Sequence, residues 1–191
     1  MMWISFAFLN ERGRSAMKVR MKIGHWCVCL LAMVVCADLH AMMEADKFIG
    51  AWRLVSAEFH AEDGTIAESP YGREPQGLLM YDAQGSMAAQ LAQTGRKLFA
   101  VADRMAGTTG EIKTAFESYQ AYYGRFKVDE RERVVTHTVI QSLLPNLVGT
   151  EQRRQYKFKD GRLILRTPPI LIGGRRLTGE LVWEKIRLGK E

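Results

Sequence analysis

Two polar side chains set into otherwise apolar strand faces give the first chemical lead. His137 alternates with Val135 and Val139, and Arg154 alternates with Gln152 and Tyr156. Residues two apart in an extended strand share a face, so an imidazole and a guanidinium would stand on walls built from aliphatic and aromatic groups. Imidazole changes charge near neutral pH. A buried guanidinium needs a carboxylate, a water-filled space or a ligand anion. By strict alternation Glu58 shares its face with Trp52 and Leu54 and is one candidate carboxylate. Three readings stay open. The group is an internal hydrogen-bond network or a wet barrel mouth. Alternatively, His137, Gln152, Arg154, Tyr156 and Tyr122 orient a ligand carbonyl, carboxylate or hydroxyl in an apolar pocket. In the third reading, His137 and Glu58 act as acid and base.

Other chemistries find no support. Beyond residue 41 the histidines are His60 and His137 and there is no cysteine, so neither a thiolate nucleophile nor a common zinc set is expected, and no cofactor or metal is. No Gly-x-Ser-x-Gly elbow surrounds Ser56, Ser69, Ser86, Ser118 or Ser142. Gly173-Gly174 and Gly149-Thr150 lack the Lys and helix of a phosphate loop. Basic residues are interleaved with acids, as in Lys127-Val128-Asp129-Glu130-Arg131-Glu132-Arg133. That pattern is a solvated strand surface, and no nucleic-acid partner is expected.

The 191 residues carry 27 Lys and Arg, 21 Asp and Glu, three cysteines and a net charge of +6. Their distribution matters more than their totals. A basic run with Arg12, Arg14, Lys18, Arg20 and Lys22 precedes the apolar stretch from Ile23 to Ala37. That layout is expected of a signal peptide, with Met1, Met17 and Met21 as candidate starts. Residues 1–41 are therefore assigned to an N-terminal extension and signal. They contain Cys27, Cys29 and Cys36, and their removal leaves +3. Export to the periplasm or the medium follows, with a membrane anchor if the segment stays uncleaved and no stable span once it is removed.

The elements that must position the candidates follow from a period of two. Strands are expected near 49–59, 76–82, 85–91, 121–128, 132–141, 150–159, 162–167 and 177–187. Asp82-Ala83-Gln84-Gly85 and Lys159-Asp160-Gly161-Arg162 read as hairpin turns. One helix is expected between strands three and four, where Ile112, Phe116 and Tyr119 recur at helical spacing and Thr108 with Glu111 forms a capping box. It would pack on the sheet or cover one end as a lid. About eight antiparallel strands hide their edges best by closing into a barrel, so residues 46–188 are read as one mainly β barrel domain. If Leu144–Leu147 closes its hairpin symmetrically, Val139 faces Gln152, His137 faces Arg154 and Val135 faces Tyr156.

The opening of the first strand, Gly50-Ala51-Trp52, resembles the lipocalin signature. A wider series also appears in order: Asp63-Gly64-Thr65, Pro70-Tyr71-Gly72, Gly77 to Tyr81, Ala121 to Phe126, and Pro145 to Arg154. Together they are similar to the short lipocalin-like domain family of bacteria and fungi, over roughly residues 46–187. The resemblance implies a barrel with a central cavity. It also implies a floor of Gly50 and Trp52 crossed by a basic residue of the last strand, Arg187 or secondarily Lys185. The chain departs from the longer lipocalins in having no Thr-Asp-Tyr second signature and in carrying its helix mid-chain. An exported binder of a small hydrophobic or amphipathic molecule is the expected function, with a cofactor-free isomerase or cyclase using the same cavity as the alternative.

Overall fold

The computed structural model describes residues 44–103 and 105–187. The expected signal segment and its cysteines lie outside the described residues. In chain order the strands are β1 (Gly50–Ala61), β2 (Ile66–Ala67), β3 (Gln76–Tyr81), β4 (Ser86–Ala92), β5 (Tyr119–Asp129), β6 (Val134–Ser142), β7 (Glu151–Lys159), β8 (Arg162–Arg166), β9 (Ile170–Ile172) and β10 (Arg175–Lys185). Helix α1 (Thr109–Glu117) lies between β4 and β5, and a 3-10 turn (Pro145–Leu147) follows β6. Neighbours run β1-β3-β4-β5-β6-β7-β8-β10, and β10 pairs back onto β1, so eight antiparallel strands close on themselves. Closure removes the unpaired edges of an open sheet. The short strands β2 and β9 hang on β1 and β10.

The two extra strands were not expected from periodicity, because segments of two and three residues carry no measurable alternation. The presence of β2 shifts the count: the helix falls in the anticipated interval but follows the fourth strand, not the third. Its capping box forms, with Thr108 and Glu111 satisfying each other's backbone N–H groups. None of its residues is buried, and Ile112 and Phe116 are 49% and 43% exposed. The β7–β8 turn works as anticipated. Asp160 and Gly161 both take positive φ, 51° and 74°, the geometry of a two-residue hairpin whose twist suits right-twisted strands.

The closed end is an aromatic plug. Residues 44–48 form a helical segment that delivers Phe48 into the barrel, where it is fully buried. Its ring meets Tyr81, Tyr156 and Phe158 edge-on at centroid distances of 5.4, 5.0 and 5.1 Å. Edge-to-face packing of this kind places positive ring edges against negative faces. Trp52 is 2% exposed and donates its indole N–H to the Phe48 carbonyl at 2.7 Å.

The basic residue across Trp52 is Lys185, whose Nζ lies 5.2 Å from the ring centroid. This corrects the expectation for Arg187. β10 pairs Lys185 directly with Trp52, whereas Arg187 is exposed past the end of the strand. Gly50 adopts φ 127°, and a Cβ there would stand 3.0 Å from Cε of Lys185, so this glycine gives the lysine room as well as shaping the strand's start.

Two register details decide which side chains meet inside. β6 and β7 pair His137 with Gln152 and Val135 with Arg154, two residues away from the symmetric expectation. A slip of two preserves faces, so the inward set is the expected one while each partner differs. In β1 the pairing with β10 shifts between Leu54 and Ser56. This bulge inverts the alternation: Trp52 and Leu54 point inward, then Ala57 and Phe59 do. Glu58 is thereby turned to the outer surface, where it lies 3.8 Å from His60.

Candidate functional site

A cavity of about 410 Å³ occupies the barrel, within the roughly 300–1,000 Å³ usual for small-molecule sites. Its walls are mostly aliphatic and aromatic, with Phe59, Leu79, Leu91, Leu165 and Leu181 contributed by five different strands. Leu144 and Leu147, from the β6–β7 loop, and the three residues of β9 complete the lining. The small strand β9 therefore has a positional role: it carries apolar side chains to the cavity from outside the closed sheet. No residue of α1 lines the cavity, so the lid reading of this helix finds no support.

The polar end is built on His137, which is 1% exposed. Its Nε2 lies 2.7 Å from the Tyr81 hydroxyl and its Nδ1 lies 2.9 Å from the Tyr122 hydroxyl. The three residues come from β6, β3 and β5, and both ring nitrogens are occupied. Burial, and secondarily the charge of Arg154, pull the His137 pKa down to about 3, so the ring is neutral near pH 7. Burial likewise raises the pKa of the Tyr122 and Tyr81 hydroxyls, leaving both protonated.

Arg154 is half-buried. It donates from Nη1 to the Arg153 carbonyl at 2.8 Å and from Nη2 to Oε1 of Gln152 at 3.4 Å. Its charge also acts on the Tyr122 hydroxyl, partly offsetting the rise that burial causes there. Gln152 is anchored in turn, its Nε2 donating to Oγ1 of Thr150 at 2.9 Å. Trp183, 2% exposed, lines the same cavity, and its indole N–H has no acceptor among the described residues. Asp and Glu are absent from the lining formed by the described residues. No group of three or more His, Cys, Asp and Glu placed to hold a metal occurs among them either.

Of the candidates read from the sequence, the fold brings Tyr122, His137, Gln152 and Arg154 together in the cavity. Tyr156 lies elsewhere. It shares a face with Arg154, but its position two residues along β7 places its ring in the aromatic plug with Phe48 and Phe158. Glu58, outside the barrel wall, does not face His137. Sequence reasoning missed Tyr81 and Trp183, although Tyr81 alternates with Leu79 and Trp183 with Leu181. The signal was present in the period-two pattern, but an aromatic residue in such a pattern reads first as core.

Comparisons with known proteins agree with the barrel fold. A family model for a lipocalin-like domain matches residues 49–186, which include all eight barrel strands. A carrier protein of the fungus Aspergillus oryzae, 4'-hydroxy-3'-methoxypropiophenone carrier protein ppsC, is 34% identical over 107 residues. The match covers 52% of this chain and 96% of that protein.

Proposed function

Because this chain belongs to the lipocalin-like domain family, we propose that it is a carrier-type protein that holds one small amphipathic molecule inside its barrel. The observation that carries the reading is the cavity of about 410 Å³, apolar along most of its wall, with His137, Tyr122 and Arg154 converging at one place. Such a site buries the body of a ligand and orients one polar group. The name of the Aspergillus relative, a 4'-hydroxy-3'-methoxypropiophenone carrier, supports a ligand of comparable size with an oxygen acceptor.

The protein would do this after export, in the periplasm or the medium. The support is the basic run followed by the apolar stretch from Ile23 to Ala37. Among the described residues no helix is long and apolar enough to cross a membrane.

Native mass spectrometry of the protein isolated from its own host tests the binding reading. A stoichiometric small-molecule adduct is expected, lost when Ala89→Trp fills the cavity. Absence of any adduct, or an adduct indifferent to that substitution, would contradict it. Determination of the mature N-terminus in the same sample tests export: a terminus between residues 36 and 46 is expected, and full-length cytoplasmic protein would refute it.

A further inference from the structure

Counting hydrogen-bond donors and acceptors around His137 shows what the cavity asks of its occupant. A neutral imidazole has one N–H and one bare nitrogen. Tyr81 is 3% exposed, packed against Phe48 and Phe126, and its hydroxyl is bonded to Nε2 of His137. A phenol in such surroundings must donate its proton to the acceptor it has, since a buried polar hydrogen without a partner is costly. Nε2 is therefore the bare nitrogen, and Nδ1 carries the proton. Nδ1–H then donates to the Tyr122 oxygen at 2.9 Å.

Arg154 lines the same cavity, and its charge acts on the Tyr122 hydroxyl. Having accepted the bond from Nδ1, Tyr122 has its own O–H to give to an occupant of the cavity it lines. The Trp183 N–H is also unmatched. Arg154 faces a cavity without Asp or Glu in its described lining, and its charge is felt at His137, Tyr122, Tyr81 and Tyr71. Arg154 and the Trp183 N–H thus stand at the wall of a cavity with no carboxylate in its described lining, and the one formal charge there is positive.

Resting on the carrier reading above, we infer that the cavity selects anionic ligands, taking a carboxylate or a similar oxyanion on an apolar ring or chain at Tyr122 and Arg154. An alcohol oxygen accepts the same bonds but brings no charge to set against the guanidinium. An ammonium group would meet the guanidinium directly. Charge-assisted hydrogen bonds are the stronger kind, and desolvation in the apolar cavity strengthens them further.

Three probes sharing one ring system test this: 2-naphthoate, 2-naphthylmethanol and 2-naphthylmethylammonium, each titrated calorimetrically into the full chain. The carboxylate should bind about tenfold or more tightly than the alcohol, and the ammonium most weakly. Arg154→Met should erase the carboxylate's advantage over the alcohol, and Arg154→Lys, which keeps the charge but not the planar fork, should restore part of it. Equal binding of carboxylate and alcohol by the unaltered protein, or a preference that survives Arg154→Met in folded protein, overturns charge selection while leaving the carrier reading intact. No binding of any probe, with no adduct in the native protein, overturns both.

Discussion

The Tyr81 hydroxyl stands 2.7 Å from Nε2 of His137, and both residues are withdrawn from solvent. This bond joins the packed aromatic end of the barrel to its cavity. Tyr81 touches Phe48 on one side and His137 on the other, and His137 in turn holds Tyr122 at the cavity wall. Ligand-facing groups are thereby set by a buried scaffold instead of by loops.

Removing the Tyr81 hydroxyl should be felt in stability. Tyr81→Phe leaves a buried imidazole nitrogen without its donor and is expected to cost about 1–3 kcal/mol. Tyr122→Phe should cost less, because the cavity gives water access to Nδ1. Urea unfolding of both variants checks the order; a Tyr122 variant less stable than the Tyr81 variant would argue against the proton arrangement described.

Acid should loosen the fold through His137. Burial, then the Arg154 charge, lower its pKa from the ordinary 6.5 to about 3. Between those values the unfolded chain binds a proton that the folded chain refuses. Stability contributed by the neutral ring is therefore complete above pH 6.5 and is lost progressively as pH falls toward 3, by at most about 1.4 kcal/mol per pH unit. Denaturation curves from pH 7 to 4 should show a shallower pH dependence in His137→Gln than in the parent. Equal slopes would mean that the ring titrates normally in the fold.

At the closed end, the two basic candidates predict different outcomes. Lys185→Ala removes the cation over Trp52 and should lower stability by about 0.5–2 kcal/mol, whereas Arg187→Ala, on an exposed position beyond β10, should stay within about 0.5 kcal/mol. Thermal unfolding of the pair distinguishes them.

Ligand affinity should be indifferent to Glu58. The bulge between Leu54 and Ser56 puts this carboxylate outside the barrel, so Glu58→Gln should change the Kd for 2-naphthoate less than about twofold. A tenfold change would require the side chain to reach the cavity.

What was legible in the chain, and what was not, divides along physical lines. Period-two alternation reports a side chain's face, so it brought His137, Gln152, Arg154 and Tyr122 to the interior even though the β6–β7 pairing lies two residues from the symmetric guess. It fails wherever one residue is inserted: the β1 bulge reverses Glu58, and no local property of Val55 or Ser56 announces it. Alternation also says nothing about depth along the barrel. Arg154 and Tyr156 share a face, yet one borders the cavity and the other joins the plug because Phe48 enters from a separate segment. The role of Tyr81 emerges only from three strands meeting at His137. A choice between Lys185 and Arg187 needed the β1–β10 register, which is a long-range property.

The central claim, that an acceptor-bearing molecule occupies the cavity, is tested most directly at Trp183, whose buried indole N–H has no acceptor among the described residues. Its assigned indole 1H–15N resonance should be followed while 2-naphthoate is added. A saturable downfield proton shift at Trp183 is expected, with little change at Trp52, whose N–H already bonds the Phe48 carbonyl. Saturable binding that leaves the Trp183 resonance in place while resonances of outward-facing residues move would contradict occupancy of the cavity.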